Sequence, residues 1–514
     1  FGIALTSLTA RAAFGPVRKF DTESIVGNFL GGLRGTIMDK WDWETALSYG
    51  MDRVTTVSRN AIRASTYQAA LNGTLSGFTG KFLNPFGYSD AGLTNALFTT
   101  STATAKSEIT TWDAHVSGTV LHLPGGEIGV AGGAEARNEV LTTNPDTAAY
   151  LGSGGGQPLT GERDIVSAYV EVTAPVFKWL EFQLAGRYED YSDFGHTTKP
   201  KYGVKIKLPE NKIANVILRG SYSESFQAPA LGLLYQTQTV AFSSNVLQDP
   251  LRLQDPPVQQ RIITGGNPHL LPEFGETKYA GVVVDIPAVK DLSFAVDYFD
   301  IRIDQVIVTP SATYLLSSTG MQQFPNAIVR DNSQGTPGPI LYIQSVPSNN
   351  PAAYQKYRGL DYKINYGLRN TRFGDFHFGL EATQILEIGN DSGLGGGYFD
   401  NTGLYNNPEW RGQGFVGWNL KDWSATFNAD YIGSYHNDGY VASPAGQWDE
   451  KPYTLCAASV TYRGFWGTQL TLGCNNLFDK QPPFNGYDTA GFDPNTYGAG
   501  AMGRFVYVRV RKDF

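Results

Sequence analysis

Only two cysteines, Cys456 and Cys474, occur in 514 residues, which excludes a disulfide scaffold and a multi-cysteine metal centre. Long apolar runs are missing too. No stretch approaches the roughly 18–20 uninterrupted apolar residues that a spanning helix needs. Charged residues make up 17% of the chain and the net charge is −8, with no basic stripe that could neutralise phosphates. Nucleic acid is therefore excluded as a partner. The six histidines (His115, His122, His196, His269, His377, His436) are scattered without metal-ligand spacing. No Gly-x-Ser-x-Gly elbow follows a strand and no phosphate loop precedes a helix, so neither a catalytic constellation nor a cofactor motif is legible. The chain begins at Phe1 with no starting Met and no signal peptide. Either processing removed one or the numbering starts inside a longer protein.

What is present is a rhythm of connections. Met38-Asp39-Lys40, Pro124-Gly125-Gly126, Pro175 to Lys178, Pro209 to Lys212, Pro287 to Lys290, Leu420-Lys421-Asp422 and Arg463 to Gly467 read as tight turns between amphipathic strands. Between them lie much longer stretches, at residues 57–100, 141–160, 229–273, 305–352, 388–408, 436–450 and 478–498. Antiparallel strands with short turns at one end and long loops at the other describe a transmembrane β-barrel of the outer-membrane type. Aromatics at 13% suit its interfacial girdles, and 59 glycines suit strands that bend and pack closely.

The strands carry the matching two-residue period. Val506, Val508, Val510 and Phe514 share one face, and Phe505, Tyr507, Arg509, Arg511 and Asp513 share the other. An Arg on the lipid face near the bilayer midplane costs about 2–4 kcal/mol, so Arg509 and Arg511 must line the lumen. Leu180, Phe182, Leu184 and Tyr188 oppose Glu181, Gln183, Arg187 and Glu189 in the same way, and Leu292, Phe294, Val296 and Tyr298 oppose Ser293, Ala295 and Asp297. After Phe299 the parity switches, which predicts a bulge or an exit from the bilayer. A half-buried soluble sheet alternates identically. The charges on one face and the ordered connections favour the barrel. About 18 strands are predicted, an even number that puts both termini on the short-turn side. Phe1 to Ala13 reads as the first strand, and Asn60 to Asn72, ending at Gly73, as a short helix inside a loop.

Three segments resemble TonB-dependent outer-membrane receptors. Ser221-Tyr222-Ser223-Glu224-Ser225-Phe226-Gln227-Ala228-Pro229 with Leu234-Tyr235 is similar to a strand end of that family, although Gln227 stands where arginine is usual. Asn267-Pro268 with Leu271-Pro272-Glu273 is similar to its NP-x-L-x-PE segment. Leu472-Gly473-Cys474-Asn475-Asn476-Leu477-Phe478-Asp479-Lys480, Pro482-Pro483 and the terminal Phe514 resemble its C-terminal pattern. Weaker echoes lie at Gly132 to Arg137 and Tyr169-Val170-Glu171.

The resemblance implies active import of a scarce nutrient (an iron chelate, cobalamin, an oligosaccharide or a peptide), energised by the TonB complex from the periplasm. It also implies outer-membrane lipid and lipopolysaccharide as surroundings, and barrel-assembly machinery that reads the terminal aromatic. Family barrels have 22 strands and an N-terminal plug, neither of which is recognisable here in full. The expectation is that residues 1–514 are the barrel domain without the plug, its TonB-contacting segment and the first few strands. A passive porin and a surface-binding barrel without transport are the alternatives.

Two local expectations concern single residues. If the Arg463–Gly467 turn centres on Phe465, then Val460 faces Leu470, Ala458 faces Leu472, and Cys456 faces Cys474 on the outward row. Opposite cysteines in an oxidising periplasm can bridge, or else they are two small apolar residues facing lipid. The second concerns loops that mix stacking faces with amides, at Tyr398, Tyr405 and Trp410 and at Tyr487, Phe492 and Tyr497. Such surfaces suit a ligand, and packed extracellular loops look the same.

Overall fold

The computed structural model describes residues 16–85, 87–148, 156–243, 245–437, 448–484 and 492–512. Seventeen long strands, with the two-residue strand Phe399–Asp400 added beside one of them, form one sheet in which each long strand pairs antiparallel with the next long strand along the chain, from Lys19–Ile37 to Phe505–Lys512. The expected strand at Phe1 to Ala13 and the terminal Asp513 and Phe514 lie outside the described residues. No helix among the described residues is long and apolar enough to cross a membrane, which leaves crossing by strands untouched.

Turn chemistry sets the short end of this meander. Met38 and Asp39 take φ of 56° and 53°, and Trp466 and Gly467 take 43° and 69°. Consecutive positive φ values match the right-handed twist of the flanking strands, as primed hairpin turns do. The turn predicted from Pro175 falls at Lys178 and Trp179 instead, because the strand Leu159–Phe177 continues past its proline. At the other end connections are long, except for the three residues between Leu180–Tyr191 and Gly195–Lys207.

Two of the predicted local features are displaced. The helix begins at Ala64 rather than Asn60 and runs to Leu71. Asn60 instead sits at φ 59° in an irregularity of the strand Trp41–Ile62, a conformation Asn tolerates. The parity switch after Phe299 is not a bulge of its own strand, whose register with both neighbours is continuous to Asp304. The bulge lies between the next two strands, at Arg358/Gly359 opposite Glu387 and Ile385.

The described part of the wall buries few apolar side chains, Leu159 and Ile165 among them. Buried apolar residues gather in the loops instead: around Leu83, Leu93 and Leu97; around Ile262, Leu315 and Ile343; and around Leu231, Leu234 and Leu270. Meanwhile Val506, Val508 and Val510 are 59–66% exposed in a regular strand. A soluble sheet would bury that face, so its solvent is hydrocarbon. Aromatic residues bound the band. Trp410 and Trp418 share the outer face of one strand, and Trp423 and Tyr431 that of the next. Each pair is eight residues apart, or about 26 Å along the strand. With the usual tilt this is roughly 20 Å of height, close to the apolar band of outer-membrane barrels.

Candidate functional site

Cross-strand register carries charge around the lumenal face. Glu181 pairs Lys205, Lys205 pairs Arg219, and Arg219 pairs Gly281, beyond which stands Asp297. Because Gly281 has no side chain, Arg219 reaches across it and grips Asp297 through Nε (3.0 Å) and Nη2 (2.6 Å). The Tyr279 hydroxyl donates to the same carboxylate at 2.5 Å. A Cβ on Gly281 would collide with the Asp297 carboxylate.

A second network runs towards the loop end. Arg187 contacts Glu189 at 2.5 Å, Glu135 at 3.2 Å and the Ser167 hydroxyl at 2.7 Å. Glu135 also meets Arg137 at 3.1 Å, and Arg137 meets Glu139 at 3.0 Å. The chain of charges ends at Arg163, 3.9 Å from Glu139 and 3.2 Å from Asp193. Every second residue of the sequence Glu135-Ala136-Arg137-Asn138-Glu139 is charged, and that was the available signal. Composition alone could not show which strands would bring Arg163, Arg187 and Asp193 alongside.

Arg163 is also where wall and loop meet. Only 4% exposed, it donates through Nη2 to the Pro229 carbonyl at 2.5 Å. Pro229 closes the family-like segment that begins at Ser221, and it leads into the short helix Leu231–Tyr235. That helix folds inward over the lumenal side of the strand Leu159–Phe177, with Leu231 and Tyr235 lying against Gly161. Leu159, Ile165 and Ser167 on the same face as this strap are buried, while their neighbours Thr160, Val166 and Ala168 face outward and are exposed.

The loops beyond the strap tie to each other. Residues from 228–272 and 305–353 share a four-stranded sheet, with Thr239–Phe242, Arg261–Thr264, Ile340–Gln344 and Ile328–Arg330 in spatial order. Asp249 and Arg330 join them in a buried, two-pronged pair at 2.5 and 2.9 Å. Burial alone would raise the Asp249 carboxyl, but the Arg330 guanidinium and the Leu251 amide hold it below its ordinary value.

The sequence-predicted ligand residues divide. Tyr405, Phe492 and Tyr497 come together with Tyr435 and Tyr453 in one cluster in which Tyr435, Tyr453 and Tyr497 are 2–3% exposed. Asp493 caps the turn that carries Tyr497, accepting from the amides of Asn495 (2.9 Å) and Thr496 (3.2 Å). Burial pushes the Tyr497 hydroxyl up to about 12 and Tyr435 also upward. These rings are enclosed as packing. Tyr398 and Trp410 lie elsewhere, on the outer face: Tyr398 stacks on Tyr354 at 5.8 Å and Trp410 on Tyr362 at 5.7 Å. Tyr487 lies outside the described residues.

The cysteine register needs a correction. The hairpin turns at Trp466-Gly467 with an irregularity between Tyr462 and Phe465, which sets Ala458 opposite Cys474 and Val460 opposite Leu472. Cys456 is thereby two residues out of register with Cys474, and both thiols are free. Both remain on the outer face. Arg509 pairs Thr471 and Arg511 pairs Gln469, on the face that continues through Thr461 to Ser424 and, along that strand, Asp430. Among the described residues no three His, Cys, Asp or Glu side chains gather as a metal site.

A family model for the TonB dependent receptor-like β-barrel matches residues 6–477. Among solved structures, the siderophore receptor PirA from Acinetobacter baumannii superposes with a TM-score of 0.61 at 15% identity, covering 96% of this chain and 63% of that one. A mutant of the ferric enterobactin receptor PfeA from Pseudomonas aeruginosa gives 0.62 at 16%, covering 95% and 62%. The RagAB peptide transporter gives 0.57 at 13%, covering 96% and 62%. At these identities the likeness concerns the fold alone, and the chain spans just over three-fifths of each structure's length. A search of curated proteins finds no match.

Proposed function

Since the chain belongs to the TonB-dependent receptor β-barrel family of the outer membrane, we propose that it forms the wall of a transporter that imports a scarce nutrient at the expense of the inner-membrane proton gradient. The carrying observation is the strap. A sieve needs an open lumen, yet here Leu231 and Tyr235 fold inward onto the wall and Arg163 holds them there. Loops anchored inside the barrel suit a protein that binds a solute and then rearranges. The whole of residues 1–514 is read as one barrel domain. The nutrient itself, the TonB complex as energising partner, surrounding lipopolysaccharide and barrel-assembly machinery belong to the same proposal. The relatives named above are siderophore receptors and a peptide transporter, and both chemistries are candidates.

The test is uptake. A strain lacking the parent gene is supplied with candidate iron chelates, oligosaccharides and peptides, with and without a functional TonB complex. Loss of growth on one nutrient, reproduced by disabling TonB, is the expected result. Uptake that persists without TonB, together with steady channel currents from the parent protein in planar bilayers, would establish passive diffusion and overturn the proposal.

A further inference from the structure

The strands Gly195–Lys207 and Asn215–Gln227 pair from Lys207 opposite Ile217 as far as Lys201 opposite Ser223, and no further. Beyond that point Gly195 to Pro200 are paired only with Leu180–Tyr191, and Glu224 to Gln227 only with Glu273–Asp285. Pro200 lacks the N–H a continued ladder would use. At the rim the gap is closed again by Phe226, whose ring meets Tyr191 at 5.7 Å and Phe194 at 6.2 Å. Lys199 threads the gap. Alternation places it on the lumenal face, yet its ammonium lies 4.4 Å from the ring centre of Phe274 and 3.8 Å from Glu224, residues of outward parity. The wall thus has a seam, and a cavity of about 570 Å³ lies over it.

One row of residues forms the lumenal floor of that cavity. Glu171 is opposite Ala185, Ala185 opposite Lys201, and Lys201 opposite Ser223. Glu171 and Lys201 therefore stand two strand spacings apart, about 10 Å, with only the methyl of Ala185 between them. Among the described residues neither forms an ion pair within 4 Å. Arg187, which also lines the cavity, is already neutralised by Glu135 and Glu189. The unsatisfied chemistry is one carboxylate, one ammonium and the hydroxyls of Ser223 and Ser225. The rings at the cavity are already engaged, Tyr169 with Arg187 at 5.9 Å and Phe226 in edge contacts with Tyr191 and Phe194, which leaves less stacking surface for a sugar.

We propose that this cavity binds short peptides with free termini, the ammonium held by Glu171 and the carboxylate by Lys201. Three extended residues span about 10 Å, which matches the spacing of the two strand positions that carry the charges. This rests on the import reading above and narrows its substrate class.

The test uses the full chain in detergent micelles, with trialanine as the probe and calorimetry as the readout. Trialanine binds, and N-acetylated or C-amidated trialanine binds at least 10-fold more weakly. Glu171→Gln and Lys201→Gln each weaken trialanine to the same degree, while Lys201→Arg retains it. Retained heat-modifiable migration shows that each variant is folded. Equal binding of blocked and free peptide, no binding of trialanine, or preferential binding of maltotriose or inorganic phosphate at this site each overturns the proposal. Because micelles need no energising complex, binding without TonB-dependent uptake sinks the import reading and leaves the site. Uptake of some nutrient without trialanine binding does the reverse.

Discussion

Replacing Arg163 by Met separates the two roles of that residue. The guanidinium holds the strap through one charge-assisted hydrogen bond to the Pro229 carbonyl, and it neutralises Asp193, whose side chain is 2% exposed. Losing a charge-assisted bond costs about 1.5–3 kcal/mol, so amides of Leu231 to Tyr235 should exchange with solvent roughly 10- to 150-fold faster. Asp193 left buried without a counter-ion adds a global cost of about 3–5 kcal/mol. The double variant Arg163→Met/Asp193→Leu removes the stranded charge and should recover most of the global stability. It cannot restore the bond to Pro229, so the strap should stay fast. Hydrogen exchange read by mass spectrometry over the helix, alongside denaturant unfolding in micelles, measures the two effects separately. Unchanged exchange in the single variant, or exchange restored in the double, would refute the latch.

Three further outcomes are expected. Leu472→Arg, on the outer face and 57% exposed, should cost about 2–4 kcal/mol in lipid unfolding measurements, whereas Thr471→Arg on the lumenal face should cost under half of that. Equal penalties would invert the assignment of faces. Both native thiols should alkylate without reductant, and Ala458→Cys should bridge to Cys474 on oxidation and leave Cys456 reactive; a native Cys456–Cys474 bond would show the register to be two residues off. The Tyr497 hydroxyl titrates near 12 when folded against 10 when free, so its contribution is intact below pH 10 and disappears as pH rises through 12. Two units correspond to about 3 kcal/mol. Tyr497→Phe should therefore flatten an alkaline unfolding step of the loop cluster, and an unchanged step would assign it to another group.

The wall was legible because its two solvents impose a two-residue period that any strand must repeat, and Arg509 and Arg511 together decided which face was which. The loops were not, since nothing periodic announces that Tyr405, Tyr435 and Tyr497 will meet across three separate connections. Aromatic and amide content reads the same whether rings stack on a ligand or on each other, and here burial made the difference. The cysteine register failed by two residues for a similar reason. Hairpin pairing depends on where positive φ is placed, and Gly467 drew the turn one residue beyond the centre that symmetry suggested. Arg163 could not be found from its neighbours at all, because its partners Asp193 and Pro229 come from connections on opposite sides of two further strands.

The abundance of glycine follows from the same one-layer geometry. A wall one sheet thick cannot stack side chains from a second layer, so a long lumenal side chain has to lie flat along the sheet and cross its neighbour to find a partner. At Gly281 that crossing is Arg219 on its way to Asp297. At Gly133 it is Tyr169, whose ring lies where a Cβ would come within 2.6 Å, and Arg187 then sits over that ring. Each glycine weakens its own strand by roughly 0.5–1 kcal/mol relative to alanine. A charge-assisted bond formed across it contributes about 1.5–3 kcal/mol, so the exchange favours glycine wherever a pair must bridge two strands. The holes in the sheet are therefore as much a part of the charge network as the arginines that cross them.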